Sequence, residues 1–263
     1  MNPLGLRSVN VTRYVEPLRE GGSLPAIVEA DDDFSYVIKF WGAGQGKKAL
    51  IAELIGGELA RAMGLRVPEL VFMTLDDSFG RMEADEEIQD LLKFSVGLNL
   101  GLHYLPGSIT YDPVVSVAEP LESSKVVVLD SLITNIDRTA RNTNLLNWNK
   151  ELWLIDHGAS IYFHHSWDNW QEHATRSFPA IKDHVLLPRA TELHKAAATI
   201  QETISDSMLK DIVDTIPDIW LSDDAHEVTA EERRRVYLEF LRIRLSQLDS
   251  LVTQADDARK ASI

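Results

Sequence analysis

The sequence predicts an α+β chain of two lobes, a small β-rich N-terminal lobe over residues 1–105 and a mainly helical C-terminal lobe over 106–263. Three observations carry that expectation. Residues 11–41 alternate short apolar runs with turn residues, residues 47–63 change to helical spacing before a further strand, and beyond residue 190 the spacing is helical throughout. A length of 263 residues fits one two-lobed unit or two small ones.

The elements follow in order. Gly21-Gly22-Ser23, Pro25 and Asp31-Asp32-Asp33 punctuate a β-meander whose last strand is Phe34–Trp41. From Lys47 a helix places Leu50, Ile51, Leu54, Ile55, Leu59, Ala62 and Met63 on one broad face, and Gly64 stops it ahead of Val67-Pro68. A strand over Glu69–Leu75 comes next. Residues 76–110 hold an acidic stretch around Glu83–Glu87, then apolar segments broken by Gly97, Gly101 and Pro106-Gly107, and the lobe boundary is set there, near residue 105. Val126–Ile133 has the length of a buried helix. Asn144–Trp148 and Glu151–Asp156 form a hairpin turning at residues 149 and 150. One tail helix runs from about Ser205 to Pro217. Another begins at the capping-box pattern Thr229-Ala230-Glu231-Glu232 and turns Val236, Phe240, Leu241, Leu245, Leu248 and Val252 inward.

Composition narrows the function. Hydrophobic residues at 44% and charged residues at 25% are those of an ordinary folded protein. With no cysteine, disulfides, thiolate metal sites and a cysteine nucleophile are excluded, so catalysis falls to oxygen and nitrogen groups. The net charge of −15 repels phosphate backbones and anionic lipids, which argues against nucleic acid and membrane surfaces as partners. Met1–Asn10 lacks an apolar signal core, and no stretch approaches the roughly 18 apolar residues of a membrane span. The expected location is the cytoplasm.

The hairpin makes a geometric prediction. Pairing about a turn centred between residues 149 and 150 leaves Asn142 and Thr143 flanking Asp156, with Asp137 on the loop five residues before Asn142. Two carboxylates and one amide then converge at one end. Such hard oxygen ligands suit Mg2+ that also holds phosphate oxygens, and the remaining aspartate can accept a hydroxyl proton. The spacing Asp-x4-Asn, hairpin, Asp is the kinase arrangement of catalytic aspartate and two metal ligands. Lys39, in the strand Tyr36-Val37-Ile38-Lys39, stands where kinases place the phosphate-pairing lysine.

Asn135-Ile136-Asp137-Arg138 with Asn142, followed by Leu152-Trp153-Leu154-Ile155-Asp156-His157-Gly158, resembles the HipA-like kinase family and its distant phosphatidylinositol-kinase relatives. Glu53-Leu54, Leu59-Ala60 and Gly64-Leu65 resemble the corresponding family helix. The recognisable motifs cover roughly residues 20–165. The resemblance implies an atypical protein-kinase-like fold with ATP in the cleft between lobes. It implies that the γ-phosphoryl passes to a serine or threonine hydroxyl of a protein substrate. It makes Lys39 the nucleotide-phosphate lysine, Glu53 its ion-pair partner, Asp137 the catalytic base, and Asn142 and Asp156 the Mg2+ ligands. The chain is too short to include the additional N-terminal segment of the full-length HipA toxins, which implies the compact stand-alone branch. It departs from the family at Thr139, where many relatives carry a histidine. Gly21, Gly22 and Ser23, just ahead of the lysine strand, are the residues expected to face phosphate.

Other readings compete. Asp137, Asn142 and Asp156 can cap a surface hairpin, Lys39 can face solvent on an edge strand, and a helical wheel prefers Glu58 over Glu53 as the buried carboxylate. Gly42–Lys48 fails both the Rossmann and the Walker spacing. His157, His164 and His165 are read as ordinary polar histidines, and Trp148, Trp153, Phe163 and Trp167 as core. As functions, a nucleotide-binding regulatory module without transfer activity stands beside the kinase reading. A lipid kinase is disfavoured because no basic or amphipathic membrane-facing segment is present.

Overall fold

The computed structural model describes residues 2–18, 24–44, 46–81, 85–222 and 228–261. Gly21, Gly22 and Ser23, expected to face phosphate, lie outside the described residues.

The N-terminal half is built on a five-stranded closed barrel in the order β1-β2-β3-β5-β4, from β1 (Ser8–Pro17), β2 (Ala26–Ala30), β3 (Ser35–Lys39), β4 (Leu70–Leu75) and β5 (Gly97–His103). Strand alternation sends Val9, Val11, Val28, Tyr36, Ile38, Val71 and Met73 into the barrel core. Lys39, one residue past Ile38, therefore points to the opposite face. Helix α1 (Lys47–Ala62) follows β3 and ends as expected, with Gly64 at a φ of 74° that a side chain would strain.

Two elements here were not foreseen. Helix α2 (Glu86–Phe94) forms within the acidic stretch, capped by the Asp85 side chain, and buries only Ile88 and Leu92 against the barrel. Strand β5 closes the barrel between β3 and β4. Its glycines hide it from a periodicity scan, yet Gly101 is required by packing, since a Cβ there would overlap Met73 Sδ.

Past β5, the short β6 (Ile109–Thr110) joins a second sheet with β7 (Leu145–Trp148) and β8 (Glu151–Leu154). The β7–β8 register is the expected one, Leu145 opposite Leu154 and Trp148 opposite Glu151, and Asn149 and Lys150 both take positive φ in the turn. Helix α3 (Pro120–Ile133) packs against α1 and is buried from Ser123 to Ile133 except at Lys125. The short α4 (Trp170–Thr175), then α5 (Leu193–Thr203), α6 (Asp206–Asp214) and α7 (Asp218–Leu221) complete the path to the tail.

The segment expected as one helix from Ser205 to Pro217 is α6, capped by the Ser205 side chain and ended before Pro217, with α7 beyond. The single long helix expected from Thr229 is two: α8 (Ala230–Ser246) starts at the complete Thr229/Glu232 capping box, and α9 (Leu248–Ala261) follows a break at Gln247. Val236 and Leu245 are only half-buried. Their place on the buried face is taken by Tyr237 and Arg244. Arg244 is fully buried and donates to the carbonyls of Leu132, Ser131 and Arg176, so it satisfies the C-terminus of α3 just before the loop that carries Asp137. Burial lowers its guanidinium to about 10.

Candidate active site

Between Leu50 and Ala60 helix α1 has no solvent face, since every residue there is buried. Two glutamates therefore sit inside, and each needs a partner. Glu58 takes Arg61 at 3.3 Å, one turn away on the same helix. Glu53 takes Lys39, with Nζ 2.6 Å from Oε2, and the same oxygen accepts the backbone N–H of His157 at 2.8 Å. The helical wheel favoured Glu58 because it assumes one apolar stripe, and a helix buried all round offers none.

Lys39 Nζ also lies 2.5 Å from Asp156 Oδ1. Its two carboxylate partners differ in exposure, Glu53 at 0% and Asp156 at 44%. Burial pulls the Lys39 ammonium down, but the charges of Asp156 and Glu53 overcome it and hold the group above the ordinary lysine range. Burial pushes the Glu53 carboxyl up, and Lys39 followed by His157 reverses this, leaving it well below the usual carboxylate range. Lys39 is thus shared between two acidic side chains. Gly56 makes the close approach possible: a Cβ at this position would lie 2.6 Å from the Cβ of His157. Gly56→Ala is expected to push α1 off the 156–158 segment and to lower stability by about 1–3 kcal/mol. Urea denaturation checks this, and an unchanged midpoint would show that the contact yields freely.

A second group of residues surrounds Asp137. Its Oδ2 accepts from Asn142 Nδ2 at 2.8 Å and from Asn144 Nδ2 at 3.1 Å, while its backbone N–H donates to Asn135 Oδ1 at 3.1 Å. The expected pairing does not continue to Asp156. Ladder pairing stops at Leu145 and Leu154, after which Asn144 and Asp156 both adopt left-handed φ, 49° and 56°. That reversal turns the Asp156 carboxylate to Lys39, away from a position opposite Thr143. Lys39, Glu53 and Asp156 therefore form one bonded set, and Asp137, Asn142 and Asn144 another.

Arg138 joins the two sets. It is 1% exposed, ion-paired through Nε to Asp130 Oδ2 at 2.6 Å, and its Nη1 donates to the carbonyls of Asn144 and Ile155, the residue before Asp156. Asp130, on α3, also accepts from Asn135 Nδ2 at 3.1 Å and pairs with His184 Nε2 at 2.9 Å. Burial would raise the Asp130 carboxyl, but Arg138 and then His184 drive it well below the usual range. None of Asp130, Arg138, Asn144 and His184 was assigned a role from sequence. The available signal was Asp130 itself, an acid inside the apolar run 126–133, since a buried charge requires a partner.

Asp156 and Asn142, on the two different bonded sets, each leave one oxygen of the hard kind that a divalent cation takes. Asp156 keeps a second carboxylate oxygen beyond the one on Lys39. Asn142, with its amide nitrogen committed to Asp137, has its carbonyl oxygen left to ligate. His157 is buried behind Glu53, and His164 is buried against Tyr237 with its ring held neutral by burial. Among the described residues no group of three or more His, Asp or Glu could hold a metal ion. Phe163 is core, Trp167 is half-buried against it, and Trp148 and Trp153 are half-buried and stack edge-to-face on the hairpin.

The model of the HipA-like kinase family matches residues 11–249, a span that takes in the barrel except the first three residues of β1, both bonded sets and α8. This chain belongs to the HipA-like kinases. Two solved structures place the fold of this HipA-like kinase among two-lobed kinases. The Helicobacter pylori proinflammatory kinase CtkA is 14% identical with a TM-score of 0.56, over 97% of this chain and 99% of that one. The Golgi casein kinase, solved with Mn and ADP bound, is 13% identical with a TM-score of 0.52, over 97% of this chain and 74% of that one. No curated protein sequence matches the chain significantly. The α+β two-lobed kinase-like architecture expected from the sequence is the one observed.

Proposed function

We propose that this HipA-like kinase transfers the γ-phosphoryl of ATP to a serine or threonine hydroxyl of a protein. The observation that carries the proposal is Lys39 held between buried Glu53 and exposed Asp156. Glu53 fixes the ammonium in place. Asp156, open to solvent, is the partner able to exchange Lys39 for another cation, which frees Lys39 for phosphate oxygens. Asp156 and Asn142 would hold Mg2+, which when bound neutralises charge on the phosphates. Asp137 accepts the hydroxyl proton, oriented by the amides of Asn142 and Asn144. Gly21, Gly22 and Ser23 are the proposed phosphate-facing loop, the boundary between the lobes falls near residue 105, and the working compartment is the cytoplasm. Among the described residues no helix is long and apolar enough to cross a membrane. The Mn and ADP in the Golgi casein kinase support nucleotide and divalent-metal use.

Thermal melting tests the binding half. Saturating ATP with magnesium, at a hundredfold excess over Kd, stabilises by about 2.7 kcal/mol, a midpoint rise of about 5–10 °C for a chain of this size. ATP with a chelator gives much less. Lys39→Met abolishes the nucleotide-dependent rise and, because it strands buried Glu53, also lowers the unliganded midpoint. Lys39→Met/Glu53→Gln recovers part of that loss. A flat melt across millimolar ATP in the wild type refutes the proposal.

A further inference from the structure

A cavity of about 630 Å³ opens at the N-terminus of α1, lined by Trp41, Lys47, Lys48 and Ile51 on one side and by His165, Trp167, Trp220, Arg233 and Tyr237 on the other. It lies at the start of α1, whereas Glu53 meets Lys39 further along the helix, about 7–8 Å past Lys48 at 1.5 Å per residue. The size is that of a small-molecule site.

Among the described residues its lining is basic, opposite in sign to the net charge of the chain. In a protein of net charge −15, three permanent cations and a histidine converge here, and no described lining residue is acidic. Two cations stack on rings: Lys47 Nζ stands 5.5 Å from the Trp41 ring centre and the Arg233 guanidinium 5.4 Å from that of Trp167. Arg233 is 6% exposed and forms part of the wall. Lys48 makes no hydrogen bond or ion pair with a described residue, and its charge helps hold the His165 ring below the ordinary histidine range, after burial. Lys47 and Lys48 also occupy the first turn of α1, which contains no acid. Cations there are opposed by the helix dipole, and a bound anion would relieve them. The rest of the lining includes Trp41, Trp167, Trp220, Ile51 and Leu221.

We propose that this cavity is a second ligand site, separate from the nucleotide cleft, for a small phosphate ester with a planar apolar portion. The phosphate faces Lys47 and Lys48, and the planar part lies among the tryptophans. Its occupant would touch the start of the helix that carries Glu53 and the segment that follows Asp156, and none of Lys39, Glu53 and Asp156 lines the cavity.

Calorimetry with 1-naphthyl phosphate as the probe tests the site on the full chain, with 1-naphthol and pyrophosphate as the two half-ligands. The expected result is one site that binds the ester more tightly than either half and persists in the presence of ATP and magnesium and in Asp156→Asn. Lys48→Glu should weaken the ester at least tenfold. That variant places an acid in the first turn of α1, where it favours the helix, and its thermal midpoint checks folding; Lys48→Gln, with the same expected direction, replaces it if the fold is lost. Equal affinity in wild type and the Lys48 variants, displacement by ATP with magnesium, loss in Asp156→Asn, or no binding at millimolar probe each overturns the proposal.

Discussion

Asp137→Asn is expected to lower phosphotransfer by about 10²-fold to 10⁴-fold, the usual worth of a general base, while leaving ATP affinity within a few-fold. The geometry supports that separation. Asp137 is half-buried and held by two amides and one backbone hydrogen bond, so the isosteric change keeps its shape and strands no deeply buried charge. Asp156→Asn acts differently. It weakens the contact with Lys39 and removes the charge that would face the metal, so both nucleotide affinity and transfer should fall. Calorimetry for affinity and radiolabel transfer, with autophosphorylation as the first acceptor tried, separate the two variants. Equal losses of binding in both would mean their roles are misassigned. Tight binding by wild type with no transfer to itself or to proteins of a lysate would favour a nucleotide-binding regulatory module.

The parts of the site legible in the sequence are those fixed by local rules. The β7–β8 register follows from a two-residue turn, and the outward face of Lys39 follows from alternation with Tyr36 and Ile38. What was not legible depends on where elements pack. Glu53 and Glu58 are both buried, and only the position of β3 relative to α1 decides which one meets Lys39. The direction of the Asp156 carboxylate is set by a left-handed residue at a strand end, which hairpin arithmetic cannot anticipate. Strand β5 is masked by Gly97 and Gly101, the latter kept small by Met73 on the neighbouring strand. The break at Gln247 leaves no mark in a pattern that stays apolar on both sides of it.

The largest effect on stability is expected at Asp130. Asp130→Asn leaves the Arg138 guanidinium buried without its counter-charge and weakens the link to His184, at a cost of about 3–5 kcal/mol. A second substitution should recover part of that loss. If the cost is that of a stranded charge, Asp130→Asn/Arg138→Met should be more stable than Asp130→Asn alone, even though it carries one more substitution. Activity should not recover with it, because Arg138 holds the carbonyls of Asn144 and Ile155 and so fixes the Asp137 loop relative to Asp156. The pH dependence has a defined sign. Asp130 and Glu53 are both depressed in the folded state, so their contribution is fully present above the unfolded carboxylate range of about 4 and is lost as pH falls below it. Asp130→Asn therefore flattens the acid limb of the stability profile while the Glu53 share remains. Urea denaturation of the three proteins between neutral pH and about pH 3 measures both effects. An additive loss in the double variant, or an acid limb unchanged by Asp130→Asn, would show that the aspartate serves only as a hydrogen-bond acceptor and that the charge of Arg138 is carried by the surrounding carbonyls.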